Sequence, residues 1–409
     1  MMNIKCELSI NLLYVKKKNY VDIVDIYYIY VKRNNKEKTM KVRNDYNECL
    51  TNLACSIRKY FGLIYKHNTL EYVDKLLESK KPKNVVTILY DGMGANILER
   101  TLDKNDFLRM NMYKKITTVF PATTVAATTS MVTGLNPIET GMIGWNTYYK
   151  DIDKIITTFL NFEKTDEKCI PLEEAINVRK KYMNEKTIVE SINEEGKYKA
   201  YGLYPFGIDP YSDVLDMYSK IEKYCNEDGK KYIYAYDEEP DHTMHMFGPD
   251  NKTVKDLIRY RNIMTEKLCE NLEDTVIFVV ADHGHIKIEN IFLRDYPDII
   301  ECLRLGTSTE VRATSFFIKD DKKIEFEKLF NKYFGEDFDL YTKKDVLDSC
   351  LFGDGEKNEL IDSELGDYIA IAKTNKALIY DGDEVLYSHH AGYTDDEIYV
   401  PLIIIDNCK

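Results

Sequence analysis

The sequence lacks the features that define several common classes of protein. Its nine cysteines are an odd number and include no C-x-x-C pair, which argues against a disulfide framework and against a thiolate zinc site. No apolar run is long enough to span a bilayer, and no low-complexity run is present. The chain has fewer basic than acidic residues, 56 against 69, and a net charge of −13. This balance argues against a nucleic acid polymer or an anionic membrane as the main partner.

Residues 1–39 differ in character from the rest of the chain. Tyr, Ile, Val, Asp and Lys alternate there without a stable period, and the charge run KRNNKEK comes shortly before Met40. The segment is either an additional strand pair or hairpin, or it does not belong to the protein because translation begins at Met40. We expect no catalytic residue in it and assign residues 40–409 to a catalytic domain. Lysines 16–18 interrupt the first apolar run and no small-residue cleavage site follows, so the sequence predicts a cytoplasmic protein without a signal peptide.

Three apolar runs that end in acidic residues or histidine predict the core of the fold. They are NVVTILYD (84–91), KYIYAYDEEPD (231–241) and TVIFVVADHG (275–284). Such continuous runs are typical of buried parallel strands, and helical patterns such as residues 251–272 separate them. Strands that alternate with helices predict an α/β fold with a mostly parallel central sheet. Ligands bind such folds at the carboxyl ends of the strands, where these acidic residues and histidines lie.

Histidine is rare and clustered. Six of the seven histidines form close pairs: His242 and His245, His283 and His285, and His389 and His390. Acidic residues adjoin each pair, which random placement would rarely produce. A solvated surface turn is an alternative for any single histidine, but the set as a whole favours a metal site.

The spacing of these residues suits a pair of metal ions. A helix that begins near position 240 places Asp241 and His245 four residues apart on one helix face. Asp282 and His283 follow a strand directly, in a tight turn. With Asp91 and a histidine near position 390 they make six candidate ligands, three for each of two ions. Mixed carboxylate and imidazole ligands favour zinc, manganese or iron over calcium.

The stretch FPATTVAATTSMVTGLNP (120–137) offers a nucleophile. Phe120-Pro121 ends an extended segment, and Thr124 lies where a helix can begin. A hydroxyl at a helix N-terminus lies beside free N–H groups that can hold a phosphate, and a metal ion can lower its pKa. The alternative is that Thr123 and Thr124 only cap the helix.

Together these motifs resemble the alkaline phosphatase superfamily, and within it the type I phosphodiesterase/nucleotide pyrophosphatase family, in particular its small bacterial intracellular members. The resemblance rests on five segments, which follow the family's order from about residue 45 to the end: VVTILYDGMGANIL, FPATTVAATTSMVTGLNPIETGMIG, EEPDHTMHMFGP, VVADHG and HHAGYTDDEIYVPLII. It implies an alkaline-phosphatase-like three-layer α/β sandwich with a mostly parallel sheet and an accessory cap inserted at about residues 291–365. No C-x-P-x-R segment is present, so a sulfatase is not expected.

The resemblance also implies a role for each motif residue. The implied ligands are Asp91, Thr124, Asp282 and His283 for one ion, and Asp241, His245 and His390 for the other. Thr124 is also the implied nucleophile, forming a phospho-threonine intermediate that water then hydrolyses. His389 is the less favoured of its pair. His242 and His285 match no ligand position, so they are expected to be structural or to support the ligands.

Two departures from the family pattern bear on the substrate. Thr123 stands where the nucleotide-cleaving branch carries lysine, and Met244 replaces the glycine before the metal-binding histidine. Nucleotide specificity is therefore open, whereas the ligand set is complete. Trp145, the only tryptophan, is a candidate for lining the substrate pocket, with packing in the core as the alternative. Arg312 is a candidate contact for a substrate phosphate, with a structural salt bridge as the alternative.

The sequence thus predicts a hydrolase that depends on two divalent ions, zinc in the first place and manganese or iron otherwise. It would cleave phosphodiester or pyrophosphate bonds of a small-molecule substrate through a phospho-threonine intermediate. A phosphomonoesterase, a phosphonate hydrolase and a phosphotransferase are alternatives that keep the same site. A metal-binding protein that has lost catalysis is an alternative of another class, against which the intact Thr124 argues.

Overall fold

Long buried strands, three of them followed closely by acidic residues, organise the fold. The computed structural model describes residue 40 and residues 42–408, apart from 167, 174–176, 184, 208, 381 and 383–384. The predicted N-terminal extension, residues 1–39, lies outside the described residues. The strands, numbered in chain order, are β1 (Asn84–Tyr90), β2 (Met112–Thr117), β3 (Asn146–Tyr149), β4 (Lys154–Thr157), β5 (Phe162–Glu163), β6 (Lys199–Leu203), β7 (Lys231–Asp237), β8 (Thr275–Val280), β9 (Ile286–Lys287), β10 (Glu289–Phe292), β11 (Ser308–Thr309), β12 (Ala313–Phe316), β13 (Phe338–Thr342), β14 (Tyr368–Ala372), β15 (Lys376–Ile379), β16 (Ser388–His389) and β17 (Tyr399–Asp406).

Helices connect and cover these strands. They are α1 (Leu50–Phe61), α2 (Glu71–Lys80), α3 (Ala95–Thr101), α4 (Phe107–Met110), α5 (Thr124–Thr133), α6 (Pro137–Thr140), α7 (Val178–Tyr182), α8 (Ile188–Glu195), α9 (Val214–Asn226), α10 (Asp241–Phe247), α11 (Lys252–Glu270), α12 (Pro297–Cys302), α13 (Lys323–Phe334), α14 (Lys343–Asp348), α15 (Ile361–Glu364) and α16 (Asp395–Ile398). Short 3₁₀ turns lie at Leu293–Asp295 and Asp320–Lys322. Within the described residues, no helix combines the length and the apolar character that crossing a bilayer requires.

The central sheet has the strand order β2-β17-β8-β1-β7-β6. β1 pairs in parallel with both β7 and β8, and β6 pairs in parallel with β7. β17 is antiparallel to its two neighbours, β2 and β8. Every residue of β1 and of β8 is buried, which requires cover on both faces of the sheet. The predicted α/β class with a mostly parallel central sheet is confirmed.

Helical periodicity supplies that cover. Leu50, Leu53 and Ile57 of α1 are three and four residues apart, so they share one face of the helix, and Val254 and Ile258 of α11 have the same spacing. All five belong to the hydrophobic cluster that also contains the side chains of β1, β7 and β8. The buried strands and the apolar faces of the helices therefore form one continuous core.

A second sheet, antiparallel throughout, has the order β13-β14-β12-β11-β3-β4-β5. It combines strands from residues 146–163 with strands from residues 308–372. The predicted accessory segment, at about residues 291–365, supplies β11 to β13, whereas β14 and β3 to β5 lie outside that range. Aromatic side chains dominate its own core, which includes Phe316, Phe326, Phe330, Phe334 and Phe338.

A buried ion pair ties the second sheet to the segment that carries the C-terminal histidines. Arg312 is fully buried between β11 and β12, and its Nε and Nη2 donate to the two carboxylate oxygens of Glu397 at 2.7 and 2.9 Å. Its Nη1 and Nη2 also donate to the backbone oxygens of Lys376 and Thr374, at 2.6 and 2.8 Å. Burial opposes ionisation of Glu397, but the guanidinium outweighs it and holds the pKa of that carboxyl below its usual range.

Arg312 therefore does not fit its predicted role as a contact for a substrate phosphate. Its donors are occupied by protein acceptors, and its alternative role, a structural salt bridge, agrees with this geometry. The pattern EVRATSFF gave no sign of the partner, because Glu397 lies 85 residues further along the chain.

Removal of one partner should show how much this ion pair contributes. We expect Arg312→Met to lower the free energy of unfolding by about 3–5 kcal/mol, because it leaves the Glu397 carboxylate buried without its cation. Urea unfolding followed by circular dichroism measures the change. Lys75→Met, which breaks the exposed pair of Lys75 with Glu71, is the control and should leave stability unchanged. A loss below about 1 kcal/mol for Arg312→Met would contradict the assignment.

Candidate metal centre

Three neighbouring strands deliver acidic side chains to one edge of the central sheet. β8, β1 and β7 lie side by side and are parallel. Asp91 follows β1, Asp282 and His283 follow β8, and Asp241 begins α10 shortly after β7. Backbone hydrogen bonds connect two of these loops, since Asp91 N–H donates to Asp237 O at 2.9 Å and Asp241 N–H donates to Asp91 O at 3.1 Å.

The loops approach so closely that two positions require glycine. Gly92 has a φ of +71°, and a Cβ there would lie 2.7 Å from Met244 Cε and 3.1 Å from Asp241 Cα. A Cβ on Gly284 would lie 1.9 Å from the Asp396 carbonyl oxygen. Met244, one of the departures from the family pattern, is fully buried and packs against this glycine-lined turn. The sequence DGMG at the end of β1 thus follows from the packing of the site.

The first group of donors surrounds Thr124, the first residue of α5. Thr124 Oγ1 lies 3.4 Å from Asp91 Oδ2 and 3.3 Å from His283 Nε2. His283 Nε2 lies 3.3 Å from Asp91 Oδ1 and 3.6 Å from Asp282 Oδ2. All four side chains are buried. The structure therefore brings together the four residues that the sequence suggested for the first ion.

The second group of donors surrounds Asp241. His245 Nε2 lies 3.3 Å from Asp241 Oδ2, His390 Nε2 lies 4.0 Å from Asp241 Oδ1, and His285 Nε2 contacts Asp241 Oδ1. One donor atom from each of these four residues lies within 4.8 Å of the others. Asp241 also belongs to a similar set with two residues of the first group, so the two groups adjoin. The residues suggested for the second ion are thus close together, with His285 among them.

Hydrogen bonds show which ring nitrogen of each histidine faces the centre. The Nδ1 atoms of His245, His283 and His390 lie 3.1, 3.2 and 3.0 Å from the backbone oxygens of Ser388, Gly284 and Ala122. A carbonyl oxygen only accepts, so each Nδ1 carries a proton, and Nε2 is the ring nitrogen whose lone pair could bind a metal ion. The three Nε2 atoms are those that lie near the carboxylates. Histidines that bind metal through Nε2 show the same arrangement.

Burial makes this cluster of carboxylates costly without a cation. Asp91 Oδ1 and Asp282 Oδ2 are buried and have no hydrogen-bond partner among the described residues. Burial, followed by the charge of Asp241, raises the pKa of Asp91 well above its usual range. Burial and the charge of Asp91 do the same for the pKa of Asp282. Because divalent cations would supply both the missing partners and the missing charge, the residues present fit a pair of such ions.

Comparison with protein families supports this interpretation. The sequence profile of the type I phosphodiesterase/nucleotide pyrophosphatase family matches residues 85–392, well over half of the chain. The chain belongs to this family. The matched region includes both donor groups, and the family consists of metal-dependent enzymes. The predicted family and the predicted enzyme class are confirmed.

Solved structures of this superfamily share the fold. Murine ectonucleotide pyrophosphatase/phosphodiesterase 5, solved as an inactive variant in complex with AMP, is 17% identical with a TM-score of 0.59, over 78% of this chain and 87% of that one. Phosphonoacetate hydrolase from Sinorhizobium meliloti 1021, in complex with phosphonoacetate, is 13% identical with a TM-score of 0.58, over 79% of this chain and 90% of that one. A search of curated proteins found no match.

The remaining residues singled out from the sequence lie around the centre or away from it. The Trp145 indole is half-buried and packs near Phe159, at a ring separation of 6.2 Å, so its predicted place in a substrate pocket stays a prediction. His242 is exposed on α10. His389 is buried, and its Nδ1 accepts the N–H of His390 at 2.9 Å.

Two further side chains at the centre, Tyr236 and Glu310, were not predicted from the sequence. Tyr236, the next-to-last residue of β7, donates its hydroxyl proton to Asp91 Oδ2. Its position in the alternation of YAYDEEPD could have suggested an inward-facing side chain. Glu310 accepts hydrogen bonds at Oε1 from Thr123 Oγ1 at 2.6 Å and from Trp145 N–H at 2.7 Å. It lies 187 residues from Thr123, and no local pattern pointed to it.

Glu310 fastens the residue before the nucleophile to the second sheet. The side chain is buried, and burial raises the pKa of Glu310 to about 7, although the hydrogen bonds from Thr123 and Trp145 oppose the shift. The carboxyl is therefore partly protonated near neutral pH. Its two hydrogen bonds hold the start of α5, and with it Thr124, against the turn before β3.

Glu310 should give the fold a measurable pH dependence. Between the ordinary glutamate value of 4.5 and its folded-state pKa of about 7, the folded chain holds a proton that the unfolded chain has lost. The free energy of unfolding therefore falls as pH rises through this range. We expect it to fall by about 3 kcal/mol more in the wild type than in Glu310→Gln between pH 4 and 8, measured by urea unfolding in EDTA.

Other buried carboxyls, Asp91 and Asp282 among them, titrate in both proteins and cancel in that difference. Glu78→Gln, at a side chain that is 66% exposed, is the matched control and should follow the wild type. Equal pH dependence in the wild type and Glu310→Gln would show that the Glu310 carboxyl titrates normally.

Proposed function

We propose that this chain is a two-metal phosphohydrolase that cleaves phosphodiester or pyrophosphate bonds, with Thr124 as the nucleophile. One observation carries the proposal. The Thr124 hydroxyl lies at the N-terminus of α5, 3.4 Å from an Asp91 carboxylate oxygen and 3.3 Å from His283 Nε2, and the Asp241 group adjoins it. A cap alone would not explain why Asp91 and His283 lie against this hydroxyl while a second group of metal-type donors adjoins them.

The two donor groups divide between two ions. Asp91, Asp282, His283 and Thr124 would hold the ion next to the nucleophile, and Asp241, His245 and His390 would hold its neighbour. When bound, such ions lower the pKa of the threonine hydroxyl and withdraw charge from the phosphoryl oxygens. Oxygen and imidazole donors suit zinc, with manganese or iron as alternatives.

The chain's own residues then carry a two-step displacement. Thr124 Oγ attacks phosphorus, an O–P bond forms, the bond from phosphorus to the leaving oxygen breaks, and the threonine proton passes overall to the leaving oxygen. In the second step water attacks phosphorus, the O–P bond to Thr124 breaks, the hydroxyl of the water stays on phosphorus and its other proton restores the Thr124 hydroxyl. The first-turn N–H groups of α5 face this position and help to hold the phosphoryl oxygens.

Charge favours a diester or pyrophosphate over a simple monoester. Glu310 accepts a hydrogen bond from Thr123, the residue before the nucleophile, and adds negative charge there when it is ionised. A dianionic monoester would be repelled more strongly than a monoanionic diester. The relatives solved with AMP and with phosphonoacetate support a small phosphoester or phosphonate as the ligand.

A phosphonate hydrolase is the second candidate, because phosphonoacetate hydrolase shares the fold over most of both chains. Turnover of bis(p-nitrophenyl) phosphate, p-nitrophenyl phosphate and phosphonoacetate with zinc or manganese separates the two proposals. We expect the diester to give the highest kcat/KM. A clear preference for phosphonoacetate would favour the second candidate.

Loss of the Thr124 hydroxyl should abolish the reaction and leave the metal centre intact. We expect Thr124→Ala to lower kcat by at least about a thousandfold, as removal of a covalent nucleophile does in other enzymes. Acid-quenched wild-type enzyme should carry a phosphoryl group on the peptide that contains Thr124, detected by mass spectrometry.

The control lies on the same helix. Thr133→Ala removes a hydroxyl at the far end of α5 that bonds only within its own helix and turn, so turnover should be unchanged. Metal content by elemental analysis should stay at two ions per chain in both variants. Full activity of Thr124→Ala, or an adduct on another residue, would refute the assignment of the nucleophile.

A further inference from the structure

We propose that His285 is a fourth protein ligand of the ion held by Asp241, His245 and His390. The inference rests on the proposed metal centre and goes beyond the ligands that the sequence motifs imply. It gives this ion four protein donors, a carboxylate and three imidazoles, where the sequence motifs imply three.

Local strand pairing places His285 at the centre. It directly precedes β9, whose Ile286 and Lys287 pair with His389 and Ser388 of β16. This short ladder joins the loop after β8 to the loop that carries His390. His285 is fully buried, and its Nε2 contacts Asp241 Oδ1.

The hydrogen bonds of Ser388 fix the orientation of the His285 ring. Ser388 Oγ donates its only proton to Met244 O at 2.6 Å. His285 Nδ1 lies 3.0 Å from that same Oγ, which can then only accept, so Nδ1 carries the proton of the neutral ring. The lone pair of His285 is therefore on Nε2, against the Asp241 carboxylate. A lone pair and a carboxylate oxygen in contact repel each other unless a cation lies between them.

One residue thus orients two imidazoles towards the same carboxylate. The backbone oxygen of Ser388 accepts from His245 Nδ1 at 3.1 Å, and its Oγ accepts from His285 Nδ1. Partners of this kind commonly set the tautomer and ring position of metal-binding histidines. Because both rings bind Ser388 through Nδ1, His285 and His245 turn the same ring atom, Nε2, towards Asp241.

Ring geometry shows that three imidazoles converge. The ring centroids of His245, His285 and His390 are 4.6 to 5.3 Å apart in each pair, at interplanar angles of 65 to 80°. The three imidazoles and the Asp241 carboxylate together offer four donor atoms, and four-coordinate sites are typical of zinc. The competing explanation is a protonated His285 that donates from Nε2 to Asp241 and only positions it.

Cobalt substitution of the full chain separates a ligand from a positioning residue. Metal-free protein is titrated with Co²⁺, whose visible absorption depends on the number and kind of its ligands, and affinity is measured by competition with a chelator. We expect His285→Ala to change the spectrum of the first equivalent bound and to weaken its binding by more than about 100-fold, beyond the 10–100-fold typical for loss of an outer partner.

Two variants calibrate that result. Ser388→Ala removes only the orienting hydroxyl, so it should weaken binding of the first equivalent by about 10–100-fold and keep its type of spectrum. His242→Ala removes an exposed histidine of the same helix as His245 and should match the wild type. If His285→Ala does not fold by circular dichroism, His285→Gln keeps a similar volume and a polar contact with Asp241, and it should show the same changes.

The outcomes are distinct. An unchanged spectrum of the first equivalent in the His285 variants, whether or not affinity falls, would reject His285 as a ligand and leave the proposed function untouched. Failure of the wild type to bind Co²⁺ at all would instead reject the metal centre on which the proposed function depends. A changed spectrum together with the large loss of affinity supports the four-donor site.

Discussion

The constraint on which this structure depends is the burial of carboxylates that lack a protein cation. Asp91 and Asp282 are almost or fully buried, and each keeps an oxygen without a partner among the described residues. An isolated buried charge costs several kcal/mol, and adjacent like charges add to that cost. Glu397, by contrast, is buried in an ion pair with Arg312. Among the described residues no arginine or lysine hydrogen-bonds to these two aspartates, and the Nε2 atom of His283 faces both of them, so a bound cation would stabilise the fold there.

Strand order explains why these residues meet. Because β8, β1 and β7 are adjacent and parallel, the residues that follow them must share one edge of the sheet. The loops after these strands pack so closely that Gly92 and Gly284 lie where a side chain would collide with the neighbouring loop. α5 enters the same edge with Thr124 as its first residue, while the pairing of β9 with β16 draws in the C-terminal histidines. The centre is thus a consequence of the sheet, with the second sheet holding its rim through Glu310 and Arg312.

The part of this arrangement that is local in sequence could be predicted from it. Apolar runs gave β1, β7 and β8, and the acidic residues at their ends indicated the donor set, because strand ends are defined by neighbouring residues. The helical start at Thr124 and the shared helix face of Asp241 and His245 followed in the same way. Which of its two suggested roles Arg312 takes could not be decided from the sequence, and Glu310 was missed, because each depends on a partner 85 or 187 residues away. His285 was predicted to have a structural or supporting role because it matches no ligand position of the motifs. Only its contacts with Ser388 and Asp241 show which way its lone pair points.

The proposed metal centre also explains how a chain with a net charge of −13 could bind an anionic ester. With two divalent ions bound, the three carboxylates of Asp91, Asp241 and Asp282 and neutral imidazoles would leave one net positive charge in the site. A monoanionic diester would compensate that charge, whereas a dianionic monoester would exceed it. Since Asp241 belongs to both donor sets, its charge would be shared between two such ions. With His285 as a fourth donor, the ion beside Asp241 would be held by one more protein group than the motifs imply, and Asp241 would be kept in place between the two donor groups.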